Sequence, residues 1–139
     1  MSDVIRLSIS LEKGLAGRLE RLRKASGHTN RSEYIRDLIR RRLVEQEWAD
    51  QHREVVGTIT LIYDHHQRQL TDRLLDAQHD HHDQIMATTH VHIAHDRCAE
   101  MIMVRGPAGT VRALAERLRR LRGVLHAELS MSTTAAALR

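Results

Sequence analysis

The stretch THVHIAHDRC, Thr89 to Cys98, sets His90 and His92 two residues apart and brings the chain's single cysteine six residues later. Residues two apart on a strand share a face. The two imidazoles are therefore expected to point the same way, with Val91 and Ile93 facing the core. Cys98 follows a turn near His95-Asp96-Arg97 and opens the next strand, from which it can swing back toward the same point. Imidazole and thiolate are borderline-to-soft ligands that suit Ni, Cu, Zn or Co better than Mg or Ca. Three such donors leave a tetragonal site one ligand short, and the preceding QHDHHD offers His79, His81 and His82. A single surface histidine is most often a solvated or packing residue, and His65, His66, His81 and His126 are read that way. The joint pattern H-x-H-x5-C after QHxHHD is what points to a bound metal.

Those donors need elements to hold them. From residue 53 onward the pattern reads strand, helix, strand, strand, helix, strand. VVGTITLIYDH is β-branched and apolar, and QRQLTDRLLDAQHDHHD keeps Leu70, Leu74 and Ala77 in helical register. IMATTHVHIAH and CAEMIMVRG are two strands joined by a turn. Gly106-Pro107 opens a second helix carrying Leu114, Leu118 and Leu121, since proline suits a first turn. GVLHAELSM closes a ferredoxin-like βαββαβ plan, one use of which is the ACT-type ligand-sensing domain. Thr133 to Arg139 has no usable periodicity and is expected to be a frayed tail.

The first third has a different character. Residues 1–48 hold 11 Lys or Arg against 7 Asp or Glu, whereas the rest holds 11 of each, so the net charge of +4 lies entirely at the N-terminal end. VIRLSISL alternates strictly, with Ile5, Leu7, Ile9 and Leu11 on one side and Arg6, Ser8 and Ser10 on the other. Two helical patterns follow. The first carries Leu15, Leu19 and Leu22 and stops at Gly27. The second starts at Asn30, with Glu33 three residues on in a capping-box arrangement, and has Ile35, Leu38, Ile39 and Leu43 as its stripe.

A lone strand before two helices has no ladder partner nearby in sequence, and its backbone groups require one. The simplest partner is the same strand of another copy, paired antiparallel about a two-fold axis. Such a two-stranded ribbon fits the major groove of DNA.

Strand, helix, glycine and helix with NRSEYIRDLI resemble the ribbon-helix-helix DNA-binding domain. The resemblance implies that Arg6, Ser8 and Ser10 read base edges, while Asn30, Arg31 and Ser32 bind phosphate at the start of the second helix. With QHDHHD and HVHIAHDRCAE in the second part, the chain from about Arg6 to Met131 resembles the nickel-responsive transcriptional regulators. That implies Ni(II) in a square plane, held by His90, His92 and Cys98 of one subunit and His79 of a neighbour. It also implies that Tyr63, His65 and Glu100 orient the ligands from behind, and that Glu33 and Asp37 hold a weaker cation. The implied assembly is a homotetramer, a dimer of dimers, that binds a palindromic operator more tightly with nickel and represses nickel-uptake genes. Gln67 and Arg68 stand where relatives tend to carry two basic residues, so the nickel-dependent gain in DNA affinity is expected to be smaller here.

The expected architecture is thus α+β. A ribbon-helix-helix (βαα) domain spans residues 1–48, an ACT-like sensing and tetramerisation domain spans 53–132, and 133–139 is the tail. No run of about 18 apolar residues exists to cross a membrane, and no apolar leader precedes the first module. One cysteine forms no internal disulfide, which agrees with a cytoplasmic setting. Two rival readings are a metal storage protein or metallochaperone and a regulator of copper or cobalt. A toxin–antitoxin repressor is a third, disfavoured by the complete second domain. No nucleophile or open-site carboxylate base is evident, so an enzyme is not expected.

Overall fold

The computed structural model describes residues 4–138. It separates into two compact units, one ending at Arg40 and one beginning at Arg41, so the division falls inside a helix.

The first unit holds helix α1 (Lys13–Ala25) and the start of α2 (Arg31–Ala49). Gly27 takes φ +75° just beyond α1, the left-handed position at which glycine ends a helix without Cβ strain. Asn30 Oδ1 accepts the Glu33 N–H at 2.9 Å and caps α2. The other half of the expected capping box is replaced, because the Glu33 carboxylate accepts the Thr29 hydroxyl at 3.1 Å. The expected strand at residues 4–11 has no ladder among the described residues. Ile5, Leu7 and Ile9 stay 80%, 82% and 61% exposed, and Leu15, Leu22, Leu38 and Ile39 are exposed with them. An apolar stripe on both helices therefore lies uncovered within one chain.

The second unit runs β1 (Glu54–Asp64), α3 (Leu70–His79), β2 (Ile85–His92), β3 (Arg97–Pro107), α4 (Ala108–Arg119) and β4 (Val124–Met131). Its four strands form one antiparallel sheet in the order β2-β3-β1-β4. The two central strands alternate cleanly. Val55, Ile59, Leu61 and Tyr63 of β1 and Cys98, Ile102 and Val104 of β3 are buried. They form one core with Leu70, Leu74 and Ala77 of α3 and Val111, Leu114 and Leu118 of α4. Trp48, near the end of α2, joins this core and donates its indole N–H to the Ser132 carbonyl at 2.7 Å.

Two expectations need correction. Val91 and Ile93 do not face the core; they are 49% and 55% exposed, because β2 is an edge strand and Val91 pairs with Ala99 on the uncovered side of the sheet. The last residues are not a frayed tail as far as they are described. Ser132 N–H bonds to the Val56 carbonyl, Leu138 N–H closes a turn on Ala135, and Thr133, Thr134, Ala137 and Leu138 are half-buried. None of the described helices is long and apolar enough to cross a membrane.

Candidate metal centre

The sheet register brings the chemistry together. His92 of β2 stands directly opposite Cys98 of β3, and Cys98 stands opposite Tyr63 of β1, so the three form one row across the sheet. One pair further along, His90 faces Glu100. The His92 Nδ1 to Cys98 Sγ distance is 3.3 Å, and the His90 and His92 rings have centroids 5.1 Å apart. His65 follows β1, where its N–H bonds to the Asp96 carbonyl at 2.8 Å and so ties the end of β1 to the β2–β3 turn. That contact sets His65, His92 and Cys98 with ligand atoms all within 4.8 Å of one another. His65 therefore stands closer to the donors than its reading as a solvated residue implied.

Cys98 is fully buried while His90 and His92 are exposed, so the sulfur is the inner donor and the imidazoles the outer ones. Burial pushes the Cys98 thiol up from its ordinary value, and the Glu100 carboxylate adds to the rise. Both effects disfavour a bare thiolate and leave a cation as the partner that would stabilise one. Tyr63 is pushed up to about 12, first by burial and then by Glu100 and Cys98. Its hydroxyl donates to Glu100 Oε2 at 3.4 Å, and the Tyr63 and His90 rings meet edge-on at 6.0 Å. Tyr63 and Glu100 thus stand opposite Cys98 and His90 in the sheet register. Two or three imidazoles and one thiol fit a late transition-metal ion and fit a hard cation poorly.

His79 ends α3, is exposed, and does not belong to the cluster formed by His65, His92 and Cys98 within one chain. Its ring lies 6.0 Å from that of His82. His81 and His82 each direct Nδ1 at a carbonyl of α3, Ala77 at 2.9 Å and His79 at 3.0 Å. One residue went unnoticed in the sequence. Gln78 donates to Glu100 Oε1 at 2.6 Å and joins the end of α3 to the floor of the site. Its position four residues after Leu74, on the buried stripe of the helix, was the available signal.

In the first unit Arg6, Ser8, Ser10, Asn30, Arg31 and Ser32 are all exposed, and Arg31 is engaged by Glu20 of α1. Glu33 and Asp37 line one cleft with His28, Arg36 and Arg40, and His28 Nε2 lies 3.9 Å from Asp37.

Residues 5–46 match the ribbon-helix-helix protein family of copG type, and residues 56–132 match the NikR C terminal nickel binding domain. Together they define a DNA-binding regulator with a metal-binding domain, and not an enzyme. A nickel-responsive regulator from Syntrophus aciditrophicus is 46% identical over 95% of this chain and 96% of its own. One from Nitratidesulfovibrio vulgaris is 45% identical over 96% of each chain, and one from Solibacter usitatus 44% over 98% of each. The chain belongs to the nickel-responsive regulator family, whose metal is Ni(II). An uncharacterized protein from Thermotoga maritima shares the fold at TM-score 0.51 and 11% identity, over 56% of this chain and 96% of that one.

Proposed function

We propose that this regulator represses nickel-uptake genes in the cytoplasm, binding a palindromic operator more tightly when Ni(II) occupies a site shared between subunits. The ligands are His90, His92 and Cys98 of one chain and His79 of a neighbour. The observation that carries this reading is the His92–Cys98 cross-strand pair with His90 beside it and His79 outside the cluster. His92 and Cys98 meet within one chain with the His90 ring 5.1 Å from that of His92, and a square-planar ion held by these three needs a fourth ligand. Tyr63, His65 and Glu100 support the ligands from behind.

A shared ion would link two sensing domains and fix the spacing of the DNA-binding ribbons. In a dimer of dimers, each ribbon would be formed by the residue 4–11 segments of two chains. That pairing would supply the missing ladder and cover the exposed stripe of Leu15, Leu22, Leu38 and Ile39. Prepositioning two ribbons lowers the cost of the second half-site contact. Arg6, Ser8 and Ser10 would meet base edges, Asn30, Arg31 and Ser32 phosphate, and Glu33 with Asp37 a weaker second cation. We read residues 1–48 as the DNA-binding domain, 53–132 as the sensing domain, and 133–139 as a tail.

Mixing the Cys98→Ala and His79→Ala proteins under conditions that exchange subunits tests the shared site. Each parent alone should lack the thiolate–nickel charge-transfer band. Mixed dimers carry one site with both ligands intact, so the band and nickel-dependent operator binding should return in part. Recovery of neither would sink the shared-ligand reading.

A further inference from the structure

Glu20 of α1 lies at the centre of a three-residue charged network in the first unit. Its Oε1 accepts from Arg31 Nε at 2.5 Å, and its Oε2 accepts from Arg23 Nη2 and Nε at 3.2 and 3.3 Å. Arg23 in turn donates through Nη1 to the His28 and Thr29 carbonyls at 2.6 and 3.1 Å. These are the two residues immediately ahead of the Asn30 cap. One carboxylate therefore holds both the turn that leads into α2 and the first side chain of that helix. The Arg31 side chain remains 70% exposed, whereas Arg23 and Glu20 are only 16% and 29% exposed. Arg31 gives Glu20 its Nε, and no hydrogen bond or ion pair to a described residue engages its two terminal nitrogens.

We propose that Glu20 is a positioning residue for DNA binding, holding the Arg31 guanidinium with its terminal nitrogens presented to a backbone phosphate. The inference rests on the reading of Arg31 as a phosphate contact. A free arginine must give up rotamer freedom to meet a phosphate, whereas a guanidinium already held at Nε has surrendered much of it. Two effects oppose each other at Glu20. Its negative charge repels the same phosphate, which would lie within the Debye length of about 8 Å at physiological salt. Glu20 already accepts from two guanidinium groups, Arg31 and Arg23, whose positive charges offset that repulsion. Orientation is therefore the larger effect.

The test uses the full-length nickel-loaded protein and a random-sequence DNA duplex, since phosphate contacts carry no sequence information. Arg31→Gln should weaken binding and lower the slope of log affinity against log salt by about one per chain. Glu20→Ala should weaken binding about three- to tenfold, the scale of one side chain's ordering entropy. Glu20→Gln, which keeps an acceptor for Arg31, should recover part of that loss. In an Arg31→Gln background, Glu20→Ala should cost nothing further. A Glu20→Ala loss of the same size in both backgrounds, or tighter binding by Glu20→Ala, overturns the positioning role alone. An Arg31→Gln protein with unchanged affinity and salt slope overturns the phosphate reading and this inference with it. Thermal midpoints of the variants check that folding is intact, and Glu20 lies outside the buried core, so Glu20→Gln leaves that core untouched.

Discussion

Gln78 Nε2 sits 2.6 Å from Glu100 Oε1, joining the residue before His79 to the strand residue two beyond Cys98. The bond spans two elements that contribute different ligands in the proposed site. Glu100 is buried, so its oxygens depend on protein donors in place of water.

Gln78→Ala is therefore expected to destabilise the metal-free protein by about 1–3 kcal/mol, the cost of leaving a buried acceptor short of a donor. It should also weaken nickel binding about 10–100-fold, as removal of outer hydrogen-bonding partners commonly does. Thermal unfolding and competition with a metal chelator measure the two effects. Unchanged nickel affinity would show that the end of α3 is positioned by other contacts.

The sequence made the central strands and both helices of the second unit's sheet layer legible, because their periodicity reflects burial directly. Cys98, Ile102 and Val104 alternate with exposed Met101 and Met103, as a strand covered on one face must. It could not show which side of β2 is covered. Val91 and Ile93 are apolar and alternate with His90 and His92, yet the register pairs the histidines with Cys98 and Glu100 on the helix side. Periodicity set Gln78 on the buried stripe of α3 but could not name its partner Glu100, and it gave no sign of Glu20, whose importance lies in the distant Arg31. Spacing alone left His65 a solvated residue and only the family resemblance put it near the ligands, because the Asp96 contact that places it is a loop hydrogen bond.

Trp48 anchors the end of α2 within the core of the second unit. The Arg112 guanidinium carbon lies 5.9 Å from its ring centroid, and Arg112 also donates to the Trp48 carbonyl at 2.9 Å. Trp48→Ala should cost about 3–5 kcal/mol in denaturant unfolding. Trp48→Phe fills most of the space but leaves the Ser132 carbonyl without its donor, and should cost about 1–3 kcal/mol. Equal losses for the two would mean that packing of the ring contributes little.

Two glycines with positive φ separate backbone strain from collision. Gly27, at φ +75°, has open space where a Cβ would stand. At Gly123, φ +100°, a Cβ would come within 2.6 Å of Gln67 Cγ and 2.9 Å of Leu70 Cδ2. Alanine at either position incurs about 1–2 kcal/mol of left-handed strain. Only Gly123→Ala adds a clash, and Leu70 is buried and cannot retreat far. Gly123→Ala should therefore lower the unfolding midpoint more than Gly27→Ala, and the reverse order would contradict the contact distances.

The Glu20–Arg31 pair should leave a signature in acid. Arg31's hydrogen bond, with a further contribution from Arg23, holds the Glu20 carboxyl below its ordinary value of 4.5. A folded-state value below the unfolded one means that the unfolded chain takes up the proton first as pH falls. The pair's stabilisation is then fully present above 4.5 and disappears as pH drops through the lowered value. Glu20→Gln should accordingly melt below the unmodified protein near neutrality, and the two midpoints should converge in acid. The carboxylate is partly open to solvent, so the difference should be modest and should shrink in about 1 M salt, where the Debye length is about 3 Å. Melting curves between about pH 3 and pH 7 at low and high salt provide the measurement, the range being set by where carboxyls titrate. A difference that persists unchanged at the acid end would show that Glu20 acts there through packing and not through its charge.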